Sequence, residues 1–250
     1  MIAAIARNEV RQRRVLLGLA FVLVCLIAAT MPFWFAFSLR QAALHPGNAS
    51  AADVLRNFRS YAFFLESTWL ARGLGRTLML LALVAGAGAI AGEREARTLP
   101  LLVQSAMSLG TVAAIKYVAI ATWLFLVAFS SAGVLTALSL SMGHPTPAVA
   151  IVIASGIAWA NAVAFLAIVA FASALARRTI VAAGLALVFG VLVAAAFAPF
   201  GVNATALGAV VVGPGGALDT TQAIRAFALA IGIATLASVL TLGALDLERR

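Results

Sequence analysis

The chain has 250 residues, 64% of them hydrophobic and 10% charged, with 17 basic against 8 acidic residues for a formal net charge of +9. A soluble domain needs roughly a quarter of its residues charged to cover its surface, so this composition excludes a water-soluble enzyme, a secreted disulfide scaffold and a nucleic-acid-binding domain. A mean hydropathy of +1.10 and several apolar runs of membrane-crossing length predict an all-α polytopic membrane protein. Its basic excess is then read as helix-end residues that set topology and meet anionic lipid head groups, with no nucleic acid as partner.

Residues 1–14 read as an amphipathic helix carrying Glu9, Arg11, Arg13 and Arg14. The first span is Val15–Phe37, too long for a signal-peptide core and without a clear cleavage site, so it is expected to be retained. Cys25 lies within it and, as the single cysteine, forms no intrachain disulfide. Ser38 to Arg72 is long for a connection. Its Val54, Phe58, Tyr61, Leu65 and Trp69 share one helical face, predicting an amphipathic helix at the outer interface or packed on the span tops, for shielding or, as the sharper alternative, as a ligand gate.

The second span is predicted at Gly73–Gly92, with Arg76 near one end, where it can snorkel. Gly88 and Gly92 stand four apart and permit close helix approach, for packing or for a dimer seam. The third span is Tyr117–Met142, opened by Lys116 and closed by Gly143-His144-Pro145-Thr146-Pro147. The fourth is Ala148–Ala176 and the fifth Thr179–Ala198, separated by Arg177 and Arg178. Asn161, deep in the fourth, is expected to bond a neighbouring helix, or else to line a pathway. Gly201 to Val212 is apolar but too short to span, and Gly213-Pro214-Gly215-Gly216 breaks it. A re-entrant outer hairpin between spans five and six is expected there. The sixth span is Ala226–Leu245. His45 and His144 lie in loops without a second ligand at metal spacing, so no metal site is expected.

With the N-terminus in the cytoplasm, eleven basic residues fall inside and six outside. The positive-inside rule favours that orientation and puts the C-terminus inside as well. The stretch joining spans two and three is then cytoplasmic. It concentrates Glu93, Arg94, Glu95 and Arg97, followed by Thr98, a helix-capping residue, with Pro100 tolerated in the first turn. Leu99, Leu102 and Val103, with Leu101 beside them, give a short helix an apolar side. From physical chemistry alone the segment is equally a solvated, topology-fixing turn.

The residue order Glu93-Arg94-Glu95-Ala96-Arg97-Thr98-Leu99-Pro100-Leu101-Leu102, then Ser108, then Lys116, resembles the ABC type-2 permease family. That family's pattern runs Glu-x-Glu-x-Gly-Thr-Leu-Glu-Leu-Leu-Leu, then Pro-x-Ser-Arg, then Lys. Arg97 stands where the family has Gly, Pro100 where Glu is common, and Ala106 and Leu109 replace Pro and Arg. The opening Ile5 to Arg14 is similar to the family's amphipathic connecting helix, and the six-span count agrees.

The resemblance implies a single domain, 1–250, forming the transmembrane subunit of an ABC exporter in the cell inner membrane. It implies a coupling helix over Thr98–Ser105, with Glu93, Arg94, Glu95, Arg97, Thr98, Leu99, Leu101 and Leu102 meeting a cytoplasmic ATPase present in two copies. It also implies a second permease subunit, identical or not. ATP and Mg would reside in the ATPase. This chain has no phosphate-binding loop, since its one lysine follows Gly110-Thr111-Val112-Ala113-Ala114-Ile115, and it is expected to be neither an ATPase nor another enzyme. For Arg11, Arg13 and Arg14, lipid contact ranks above a second ATPase contact. The expected absence of Asp, Glu and Lys at depth disfavours an ion-coupled carrier. It suits a lipid-like or amphipathic cargo, or a machine that transmits force outward. Alternatives are a complex serving maturation of a periplasmic metalloenzyme, or a non-transporting scaffold or sensor.

Overall fold

A computed structural model describes residues 2–44, 61–97, 108–144, 146, 148–197 and 220–247. Every regular element among them is a helix. Six helices are long and apolar enough to cross a membrane: Leu17–Leu44, Gly75–Glu95, Leu109–Ser141, Ala148–Leu175, Thr179–Ala196 and Ile224–Asp246.

Helix α1 (Ile2–Leu44) is one element of 43 residues. The expected connecting helix, 1–14, and the first span are therefore continuous. Ala, Arg and Gln are strong helix formers, and no Gly or Pro separates the two stretches, so nothing stops the helix between them. α2 (Tyr61–Phe64) passes into a π-helical segment, Leu65–Leu74, and then into α3 (Gly75–Ala87). Phe64, Leu74 and Gly75 all keep right-handed helical backbone at the junctions. The expected separation between an interfacial helix and a span opening at Gly73 is therefore absent. The predicted stripe explains the continuity: Tyr61, Leu65 and Trp69 are buried, together with Phe64, in the same cluster as Phe35. Val54 and Phe58 lie outside the described residues.

α3 ends in a turn at Gly88, and α4 (Ala91–Glu95) follows. α5 (Leu109–Ser141) starts eight residues before the predicted Tyr117. Ser108 caps it, its hydroxyl accepting from the Thr111 amide at 3.1 Å. α6 (Ala148–Leu175), α7 (Thr179–Phe197) and α8 (Thr220–Leu247) complete the bundle. The outer hairpin expected over 201–216 lies outside the described residues.

α6 is the hub, packed against α3, α5, α7 and α8, while α1 packs on α5. Its sequence is apolar all round, as a helix surrounded by others requires. Alanines at 158, 162, 164, 170, 172 and 174 let its neighbours come close. Over its most apolar stretch α6 is 56% buried, against 11% for α7, which therefore turns most of its surface outward.

The tightest approach is at Gly86. A Cβ added there would lie 2.7 Å from Leu166 Cδ1 and 2.9 Å from Val169 Cγ1. Gly86→Val is expected to destabilise the bundle by about 1–3 kcal/mol, seen as an earlier unfolding midpoint in a detergent-to-dodecyl-sulfate titration. The same change at Gly184, where an added Cβ meets nothing within 4 Å, should leave the midpoint unmoved.

Candidate functional site

The four charged residues that open the stretch after span two sit on α4 and the turn behind it. The structure gives three of them partners within the chain. α4 exists because α3 breaks: Gly88 ends the helix and the Ala89 amide turns back to Gly86 O at 3.0 Å. A break inside an apolar bundle strands backbone groups that water cannot reach. Ser173 of α6 takes them up. Its hydroxyl accepts from the Ile90 amide at 3.2 Å and the Ala91 amide at 3.0 Å, and donates to Ala87 O at 3.0 Å.

The charges then fasten α4 to its surroundings. Lys116 Nζ pairs with Glu93 Oε1 at 2.5 Å and also donates to Ala89 O at 3.3 Å. Lys116 is 4% exposed. It lies seven residues inside α5, about 10 Å along the axis, and does not open the span as the sequence suggests. The spans therefore do hold a buried lysine and a carboxylate, correcting the expectation of an interior free of them. The pair neutralises itself, as charges in low dielectric must.

Arg94 Nη1 donates to Ala174 O and Ala176 O, each at 2.7 Å, and to Ser173 O at 3.3 Å. These carbonyls end α6, where the helix has no internal donors left and its dipole favours a cation. Glu95 Oε2 accepts from the Thr179 amide at 3.1 Å, the first amide of α7, where the dipole favours an anion. One short helix thus holds the C-terminus of α6 and the N-terminus of α7 with opposite charges on two consecutive residues, and holds α5 through Glu93.

Arg97 is exposed and its φ is +56°. This left-handed conformation follows the Ala96 cap, whose amide bonds Gly92 O. It is the position after a helix end that glycine commonly fills, and it is where the resembling family carries glycine. Holding a side chain there costs about 1–2 kcal/mol, while glycine's extra freedom costs about 0.5–1 kcal/mol. Arg97→Gly is therefore expected to raise stability by up to about 1 kcal/mol, and Arg97→Val to lower it, in the same titration.

Thr98, Leu99, Leu101 and Leu102 lie outside the described residues. So do the side chains of Glu9, Arg11, Arg13 and Arg14, whose backbone forms the start of α1. Gly88 and Gly92 do not share one helix face, because the turn lies between them. Gly92 would bring a Cβ only to ordinary contact with Thr179 Oγ1 at 3.5 Å. Close approach falls on Gly86. Ser173, Thr179 and Gly86 are the residues that sequence reasoning missed. In the sequence Ser173 is a single small polar residue near the end of an apolar run, with no pattern that marks it.

Asn161 is 2% exposed, and neither of its amide atoms has a hydrogen-bond partner among the described residues. The expected bond to a neighbouring helix is not made. Leaving such a group unpaired costs about 1–3 kcal/mol. The side chain lines a cavity of about 410 Å³ between α3, α6, α7 and α8, together with Arg76.

At the opposite end of the bundle from Glu93, Tyr61 stacks on His144 with ring centroids 4.7 Å apart, and Phe35 meets both edge-on. Ser139 Oγ donates to Leu135 O and accepts from the Tyr61 hydroxyl. The Ser139 hydroxyl thus ties Tyr61 to the backbone of α5. Among the described residues, no group of three or more His, Cys, Asp or Glu could hold a metal ion.

No protein-family model matches the chain, and no curated protein matches it significantly.

Proposed function

We propose that the chain is the membrane-embedded permease subunit of an ABC exporter of the type-2 family. Its N- and C-termini would lie in the cytoplasm and its α4 end would face a separate ATPase. The observation that carries this reading is the Glu93–Lys116 pair. Glu93 and Lys116 are two of the residues that align with the family's order, and they meet although 23 positions apart. Glu95 and Ser108, also in register, are occupied as the cap of α7 and the cap of α5.

The mechanical consequence supports the reading. The segment that carries Thr98, Leu99, Leu101 and Leu102 leaves from α4 and returns at Ser108. Both of its ends are fixed, the first by Ser173, Lys116 and the termini of α6 and α7, the second by the start of α5. A load delivered to that segment by nucleotide-driven closure of an ATPase pair reaches α5, α6 and α7 without passing through a flexible joint. Glu93, Arg94 and Glu95 then stiffen the mount. Docking belongs to Arg97 and the apolar side of the following segment. ATP and Mg are held by the ATPase, and two copies of the permease, identical or not, complete the assembly.

The test is recovery of the partner. The full chain purified from its native membrane in mild detergent should bring down an ATP-binding subunit in about equal amount. A Leu102→Cys variant in a Cys25→Ser background should cross-link to that subunit, whereas Leu236→Cys, exposed on α8, should not. Recovery without any nucleotide-binding chain, or cross-linking to neither position, overturns the proposal.

A further inference from the structure

We propose that the cavity between α3, α6, α7 and α8 binds an acidic amphiphile. Arg76 and Asn161 hold its anionic head and the apolar walls hold its hydrocarbon tail. Of the described residues that line the cavity, only these two have polar side chains; Leu83, Phe165, Leu187 and Ile233 are typical of the rest. Its volume of about 410 Å³ falls within the range of small-molecule sites, about 300–1,000 Å³.

The two polar groups line the same cavity. Counted from the contact of Gly86 with Leu166 and Val169, Arg76 lies ten residues back along α3 and Asn161 five to eight residues back along α6. Those separations are about 15 Å and about 8–12 Å of helix rise, so the two side chains open on the cavity within roughly one turn of the same depth. Each is incomplete alone. Asn161 is buried with both amide atoms unbonded. Arg76 is exposed at the second position of α3 and forms no ion pair among the described residues, so its guanidinium is available to a head group.

A carboxylate or phosphate answers both needs. The guanidinium fork takes two of its oxygens, and the Asn161 Nδ2 amide donates to a further oxygen of a phosphate or shares one of the two oxygens of a carboxylate. Zwitterionic heads gain less, because their own cation offsets the anion that Arg76 would hold. The walls beyond the two groups offer only carbon, which suits an acyl chain. The site belongs to this chain alone, so it goes beyond the ATPase partnership and stands or falls separately from it.

The test uses the delipidated full chain in dodecyl maltoside, titrated separately with dioleoylphosphatidylglycerol, dioleoylphosphatidylcholine and oleate, with bound molecules counted by native mass spectrometry. One phosphatidylglycerol or one oleate should bind about tenfold more tightly than phosphatidylcholine, and Arg76→Gln and Asn161→Leu should each remove most of that preference. Arg97→Gln, at the α4 end, should not. Leu187→Trp keeps both polar groups, starts from a position 52% exposed, and should block binding by filling the space. Preference for phosphatidylglycerol identifies a bilayer lipid, and preference for oleate alone a diffusible acid; either supports the site. Equal binding of the three probes overturns it, as does a preference that survives Arg76→Gln, Asn161→Leu and Leu187→Trp in variants that keep wild-type helix content and gel-filtration behaviour.

Discussion

Glu93→Gln is expected to destabilise the folded bundle by about 3–5 kcal/mol, the range found when one member of a buried ion pair is removed. Lys116 has a side chain only 5% exposed, against 20% for Glu93, and it sits two turns inside α5. With the carboxylate replaced by a neutral amide, the ammonium keeps Ala89 O, at 3.3 Å, but loses the charge of Glu93. Holding that positive charge in low dielectric without the carboxylate is costly. Lys116→Met in the same background removes the stranded charge. Replacing such a pair with apolar side chains of similar size is often close to neutral, so the double variant should recover most of the loss. Unfolding midpoints of the wild type, both single variants and the double variant give a complete cycle. A single-variant loss below about 1 kcal/mol, the range of exposed pairs, would show that the pair is not buried as described.

Ser173→Ala is expected to be nearly as damaging. The substitution removes only one oxygen, but that oxygen serves the Ile90 and Ala91 amides and the Ala87 carbonyl. Each buried backbone group left unsatisfied costs about 1–3 kcal/mol, and partial relaxation of the turn recovers some of it, so a net loss of about 3 kcal/mol is expected. Ser173 is wholly buried, which keeps solvent from replacing the hydroxyl. Hydrogen exchange offers a local readout: the Ile90 and Ala91 amides should lose protection in Ser173→Ala while amides in the middle of α5 keep theirs. Ser173→Thr retains the hydroxyl and should preserve that protection if the added methyl is accommodated.

The crossings were legible because burial in lipid is written in composition. Runs such as 148–176 and 179–198 have no other use, and α6 and α7 follow them within a few residues. Boundaries are less legible, because a polar residue does not by itself end a helix. Lys116 marks no end, since Glu93 accompanies it into the bundle. Gly73 marks none either, since the stripe of Tyr61, Leu65 and Trp69 pulls the preceding helix onto the core.

The site was readable as a concentration of charge, but its wiring was not. Arg94 finds carbonyls 79 to 82 positions away and Glu95 an amide 84 away. Backbone acceptors have no sequence signature, so no pattern on α4 can name them. Asn161 failed for the opposite reason. A polar residue in a span normally bonds a neighbouring helix, and here the space beside it is open.

The stitch at Ser173 also restricts how this bundle changes shape. Moving α3 past α6 by one helical turn, about 5.4 Å, would carry the Ala87 carbonyl and the Ile90 and Ala91 amides away from the Ser173 hydroxyl that serves them. It would also drive the side chains of Leu166 and Val169 across the backbone at Gly86. Piston-like sliding between these two helices is thereby forbidden, and they travel together as a single strut. Any change of shape in the bundle is then left to looser seams, foremost along α7, whose surface is the least buried of the six.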